Sequence, residues 1–175
     1  MAETIIAQTR RAAGQWQGPA ADKLVLDYEG RFLRRKRLVM ASGAAVLVDL
    51  PETTSLAAGD ALETLDGRLI AIAAADEPLL RVTGDLVRLA WHIGNRHTPC
   101  QIGDDHLLIR DDHVLAAMLR QLGAAVTPLR GAFTPEGGAY GHGRTMGHDH
   151  GPGHGHDHGH DHGDHHGHAH DHVHG

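Results

Sequence analysis

The sequence predicts an α+β protein with a small N-terminal β domain over 1–75, a second, mixed domain over 76–135 and a disordered tail over 136–175. Three observations predict it. The first seventy residues are short Val-, Ile- and Leu-rich runs punctuated by turn residues. The next sixty alternate strand-like runs with apolar residues at helical spacing. The last forty turn into Gly, His and Asp with almost no apolar content, a composition that cannot build a core.

In the first region, Thr4 to Thr9, Lys23 to Tyr28, Arg37 to Met40 and Ala44 to Leu50 read as strands. Glu29-Gly30, Ser42-Gly43, Gly59-Asp60 and Asp66-Gly67 supply the turns. Aromatic residues are only 3% of the chain, so the core must be aliphatic and small, and a neighbouring domain or a second copy has to add burial. Phe32-Leu33-Arg34-Arg35-Lys36-Arg37 is the strong basic run. It reads first as a solvated edge whose cations discourage strand-on-strand association, and second as a docking patch for an acidic protein.

After the apolar run Leu69–Ala75, Asp76-Glu77-Pro78 marks a boundary. Leu79 to Thr83 is a strand, and Asp85 caps a helix with Leu86, Leu89, Ala90 and Ile93 on its buried side. Gly94 and Asn95 are expected to end that helix in a left-handed turn, with Pro99 barring its continuation. Gln101-Ile102, the Gly103-Asp104-Asp105 turn and Leu107 to Ile109 form a hairpin. Asp111 or Asp112 caps a second helix that buries Val114, Leu115, Met118, Leu119 and Leu122, with Gly123 just past its end. Ala124 to Thr127 is the closing strand. The order β-α-β-β-α-β is the ferredoxin-like plan.

Composition narrows the function. Net charge is −6, of which residues 142–175 supply −4 (five Asp against Arg144) and the rest of the chain −2, so nucleic acid is not an expected partner. The single cysteine, Cys100, forbids an intrachain disulfide and suits a reducing compartment. The first ten residues lack the apolar core of a signal peptide, and no run approaches the ~20 residues of a membrane span. A cytoplasmic protein without membrane contact is expected. There is no nucleophile motif, phosphate loop or ordered His/Asp/Glu cluster in the body, so an enzyme is not expected.

Two features point to metal. His97 lies in the stiff connection Gly94–Ile102, off any helix face, with its imidazole turned outward. Fourteen of the eighteen histidines then crowd the last 34 residues: His142, His148, His150, His154, His156, His158, His160, His162, His165, His166, His168, His170, His172 and His174. Interspersed with glycine and aspartate, they differ from the plain histidine run of an expression tag. Such a segment has little chemistry besides binding metal, and at about two to four imidazoles per ion it holds several. A Gly-rich chain of ~30 residues has an r.m.s. span of about 30 Å, against a radius near 10 Å for a 60-residue domain, so the tail reaches His97 from almost any attachment point. Imidazole accepts Ni²⁺, Cu²⁺ and Zn²⁺ alike.

The run Gly94-Asn95-Arg96-His97-Thr98-Pro99-x-Gln101-Ile102, followed by Asp112-His113-Val114-Leu115-x-x-Met118-Leu119 and the histidine-rich terminus, closely resembles the UreE family of urease accessory nickel metallochaperones. The likeness spans the whole chain. It implies a cytoplasmic homodimer that delivers Ni²⁺ to apo-urease together with a GTPase partner. It also implies an N-terminal β domain that binds protein partners, and His97 presented by both subunits at their interface. Some members carry His-x-His at the start of the second helix; here Asp111-Asp112-His113 leaves His113 as the imidazole of a weaker secondary site. Cys100 reads as a small buried hydrophobe, with a thiolate ligand as the alternative. Against the chaperone reading stands a passive nickel or zinc store in which the tail alone matters.

Overall fold

In a computed structural model that describes residues 5–137, the first half of the chain forms one six-stranded mixed sheet. Its strands are β1 (Ile5–Arg11), β2 (Asp22–Leu26), β3 (Phe32–Val39), β4 (Ala45–Ser55), β5 (Ala61–Thr64) and β6 (Leu69–Ala74), in the order β2-β6-β5-β1-β4-β3. β1 runs parallel to β4 and β2 parallel to β6; the remaining neighbours are antiparallel. Alternation sets the buried face: Val46, Val48 and Leu50 of β4 point inward with Ala7, Leu24, Leu62, Ile70 and Ile72. Asp60 is 1% exposed and ties the β1–β2 turn to the sheet. It accepts from the Ala13 and Ala57 N–H groups (3.0 and 2.9 Å) and from Arg10 Nε (2.7 Å), which satisfies a carboxylate that would otherwise be costly to bury.

The basic run occupies β3, the outermost strand, with Arg34, Arg35, Lys36 and Arg37 exposed, as a charged edge requires. β5 was not expected from sequence, because four residues between two turns give no periodicity to read. β3 starts earlier and β4 runs further than the apolar residues suggest. Pairing with each other carries their polar ends along.

The second half has the ferredoxin-like order: β7 (Asp76–Thr83), α1 (Leu86–Gly94), β8 (Gln101–Ile102), β9 (Leu107–Arg110), α2 (His113–Gln121) and β10 (Ala125–Ala132). The sheet order is β10-β7-β9-β8, with every neighbouring pair antiparallel. β7 begins at Asp76 rather than Leu79, because β10 pairs with it over its whole length. Pro78 lies just past the last β9 pair, so its missing N–H leaves no gap on that side.

The two faces of this sheet are used differently. One packs Leu80, Val82, Leu107 and Ile109 against Leu89 and Ile93 of α1 and Leu115, Ala116 and Leu119 of α2. Val114, expected inside, is 59% exposed, and Ala116 takes the buried place. Leu79, Leu108 and Phe133 form a separate buried cluster, against which Tyr28 from the first sheet packs. The Tyr28 and Phe133 rings meet edge to face at 5.4 Å. Around them the Tyr28 N–H donates to Glu77 Oε2 (2.8 Å), Arg110 pairs with Glu29 (2.6 Å), and the Arg31 guanidinium donates to the Phe133 carbonyl. Arg31 is 3% exposed, and desolvation lowers its pKa, with the Glu77 charge opposing. A guanidinium is still cationic under such burial.

Candidate metal centre

Both helices of the second half end in the same backbone motif. At the end of α2, the Gly123 N–H reaches the Arg120 carbonyl (3.0 Å) and the Ala124 N–H reaches the Leu119 carbonyl (3.0 Å), with Gly123 at φ 87°. This is the Schellman closure, whose left-handed seat glycine normally takes because it has no Cβ. At the end of α1, the His97 N–H reaches the Gly94 carbonyl (2.9 Å) and the Thr98 N–H reaches, at a longer 3.4 Å, the Ile93 carbonyl. The left-handed residue is His97, at φ 55° and the sole non-glycine with positive φ among the described residues. Gly94 and Asn95 do not make the turn, contrary to expectation. Gly94 closes the helix and Asn95 is still right-handed at φ −63°, ψ −18°. Nothing in local sequence outweighs helix continuation until Pro99 is near, so the turn slides to the last residue that can make it.

An imidazole in that seat costs about 1 kcal/mol of backbone strain relative to glycine. In return its Cα is fixed by two hydrogen bonds to α1, and the residue is solvent-exposed. α1 is anchored by Leu89 and Ile93 and capped by Asp85, whose side chain accepts from the Arg88 N–H. On its outer surface Val87 (84% exposed) and Trp91 (63%) lie one turn apart, on the stretch that leads into the loop.

Three residues on, Cys100 is half-buried against the helical core. Burial, reinforced by the Glu136 carboxylate, pushes its thiol up to about 11, so it is protonated at neutral pH and packs as a small hydrophobe. The thiolate alternative has no support from its surroundings. At α2, Asp112 is the cap: its Oδ1 accepts from the Val114 and Leu115 N–H groups at 2.8 and 2.9 Å. Asp111 is exposed, and its N–H bonds to the Pro78 carbonyl. His113 is exposed on the first turn of α2. Among the described residues no three His, Cys, Asp or Glu side chains come together to hold a metal. The tail histidines, His142 to His174, lie outside the described residues. No helix among the described residues is long and apolar enough to cross a membrane.

Sequence reasoning missed the contacts that residues 134–136 make with Cys100 and Gln101 at the end of this loop. The Thr134 N–H donates to Gln101 Oε1 at 2.8 Å, and the Glu136 N–H to the Cys100 carbonyl at 2.8 Å. No local pattern in residues 133–136 announces a return to β8.

Comparison with known proteins gives a consistent picture. A family model described as "UreE urease accessory protein, N-terminal domain" matches residues 2–75, and one described as "UreE urease accessory protein, C-terminal domain" matches residues 70–174. Urease accessory protein UreE of Rhodobacter capsulatus is 67% identical over 140 residues, covering 80% of this chain and 89% of that protein. The protein of the same name from Cereibacter sphaeroides is 58% identical over 151 residues (85% and 83%), and that from Ruegeria pomeroyi 60% over 141 (80% and 94%).

The helix end yields a direct test. If the strain at residue 97 is as described, His97→Gly is more stable than His97→Ala by about 1 kcal/mol, the reverse of the usual ranking in a helix. Urea unfolding of both variants measures the difference; an alanine variant equal to or above the glycine variant contradicts the left-handed seat.

Proposed function

The chain belongs to the UreE family of urease accessory proteins, and from that membership in urease maturation we propose that it is a nickel metallochaperone. It captures Ni²⁺ with its histidine-rich tail, holds it on paired His97 side chains where two copies meet, and delivers it to apo-urease. The observation that carries this reading is the placement of His97: an exposed imidazole on a left-handed helix end fixed by two backbone hydrogen bonds. One imidazole holds a metal poorly. A two-fold axis through the loop doubles it, and two imidazoles on rigid supports make a half-filled coordination sphere that accepts further ligands. The exposed Val87 and Trp91 supply apolar surface for the second copy on the same helix.

A half-filled sphere suits transfer. Tail imidazoles complete it when ion arrives, and ligands of the receiving protein displace them when it leaves. His113, lacking a second imidazole next to it, is a weaker accessory ligand in this scheme. The ligand chemistry alone favours copper over nickel, so the choice of Ni²⁺ rests on family membership, with Zn²⁺ and Cu²⁺ as competitors. The N-terminal unit, residues 1–75, is assigned to protein partners, a maturation GTPase and the apo-urease complex, in the cytoplasm. The protein itself is not an enzyme in this account, and nucleic acid has no part in it.

Division of labour is the first test. Removal of residues from His142 onward lowers the number of ions bound severalfold yet leaves one site per two chains. His97→Ala retains most of the tail capacity and loses urease activation under nickel limitation. A His97→Ala protein that activates urease normally overturns the proposal in favour of a passive store. The second test is pH. Metal needs neutral imidazole, whose ordinary pKa is about 6.5, so tail loading is full at pH 8 and falls steeply through pH 6. Equilibrium dialysis giving equal capacity at pH 5 and pH 8 contradicts an imidazole site.

A further inference from the structure

β10 and β8 are the two opposite edges of the four-stranded sheet. A tail that simply left the end of β10 would depart three strand spacings, about 14 Å, from the edge that carries the His97 loop. The chain does not do this. Phe133 turns under the sheet and is completely buried between Leu79 of β7, Leu108 of β9 and Tyr28. Thr134 then hydrogen-bonds to the Gln101 side chain, and Glu136 to the Cys100 carbonyl. From Ala132, the end of β10, to Glu136 is four residue steps, at most about 14 Å, so the chain crosses at nearly full stretch from one edge to the other. Pro135 fits this: the residue before a proline is held extended. The Arg31 guanidinium secures the Phe133 carbonyl from the other sheet.

We propose that Phe133–Glu136 is a clasp that sets where the histidine-rich tail leaves the body, with Gln101 as its positioning residue. The consequence for metal transfer rests on the chaperone reading above; the clasp itself does not. The arithmetic favours a functional purpose. From Cys100, His97 is three residues away, no more than about 11 Å. From Glu136, the first tail imidazole, His142, is six residues away, at most about 22 Å of chain. The clasp thus keeps the first tail imidazoles within reach of the loop of their own chain. Release from it lengthens the stretch before His142 to ten residues and moves its origin to the far edge, which lowers the effective concentration at the loop.

The test uses the full-length protein. Amide hydrogen exchange is read at Thr134 and Glu136, and nickel affinity by calorimetry, in wild type, Gln101→Leu, which removes the acceptor, and Gln101→Glu, which keeps an oxygen in place. The clasp predicts protected amides in wild type, loss of protection at Thr134 in Gln101→Leu and recovery in Gln101→Glu. It further predicts that Gln101→Leu weakens the tightest nickel site about threefold to tenfold, the loss expected from one hydrogen bond, without changing the number of ions bound. In a His97→Ala background the same substitution has no effect on affinity. Unprotected Thr134 and Glu136 amides in wild type overturn the clasp. Unchanged nickel affinity in Gln101→Leu, or an equal loss with and without His97, overturns its role in positioning the tail. A tight site that survives His97→Ala while the amides behave as predicted supports the clasp and instead overturns the chaperone reading.

Discussion

The left-handed backbone at residue 97 is the constraint on which the rest of the site depends. Two helices of similar length close by one motif, and at one of them the seat that glycine fills at Gly123 is filled by an imidazole. That exchange costs local stability, and the fold around it is built to hold the cost. Leu89 and Ile93 pin α1 to the sheet, and Asp85 caps its start. Strain of this kind persists where surrounding packing over-determines the backbone, and it places a side chain within narrow limits.

The second sheet carries two loads. Its helical face is an ordinary aliphatic core, and its other face is where the first sheet and the root of the tail meet. Tyr28, Glu29 and Arg31 come from one side; Glu77, Arg110 and Phe133 answer from the other. Phe133 belongs to all three parts: its ring fills the joint, its carbonyl takes the buried guanidinium, and the chain beyond it turns toward Gln101 and Cys100. The two sheets are therefore braced by polar contacts arranged round a fully buried ring.

Much of this was legible in the sequence, and the misses have physical causes. The β-α-β-β-α-β order, the caps Asp85 and Asp112 and the glycine closure at Gly123 all depend on residues within one turn of each other, which local pattern records. The Gly94-Asn95 pair misled because both residues favour a left-handed turn, whereas the turn was set by how far α1 could continue before Pro99. β5 and the early start of β7 exist through pairing with distant strands, and Val114 is exposed because Ala116, too small to register as an apolar anchor, faces the core. Arg31 and Phe133 had no signature at all, and Gln101, though part of the motif, gave no sign of its bond to Thr134. Their roles are made by contacts 102 residues apart for Arg31 with Phe133 and 33 apart for Gln101 with Thr134.

Whether two copies of His97 share one ion is most directly tested by anomalous diffraction at the nickel absorption edge from crystals of the nickel-loaded, full-length protein. The account predicts a peak on the axis relating two chains, at the ordinary metal–imidazole bond length of about 2.1 Å from a ring nitrogen of each His97. Nickel bound without either His97, or His97 side chains too far apart in every assembly to meet at one ion, contradicts it.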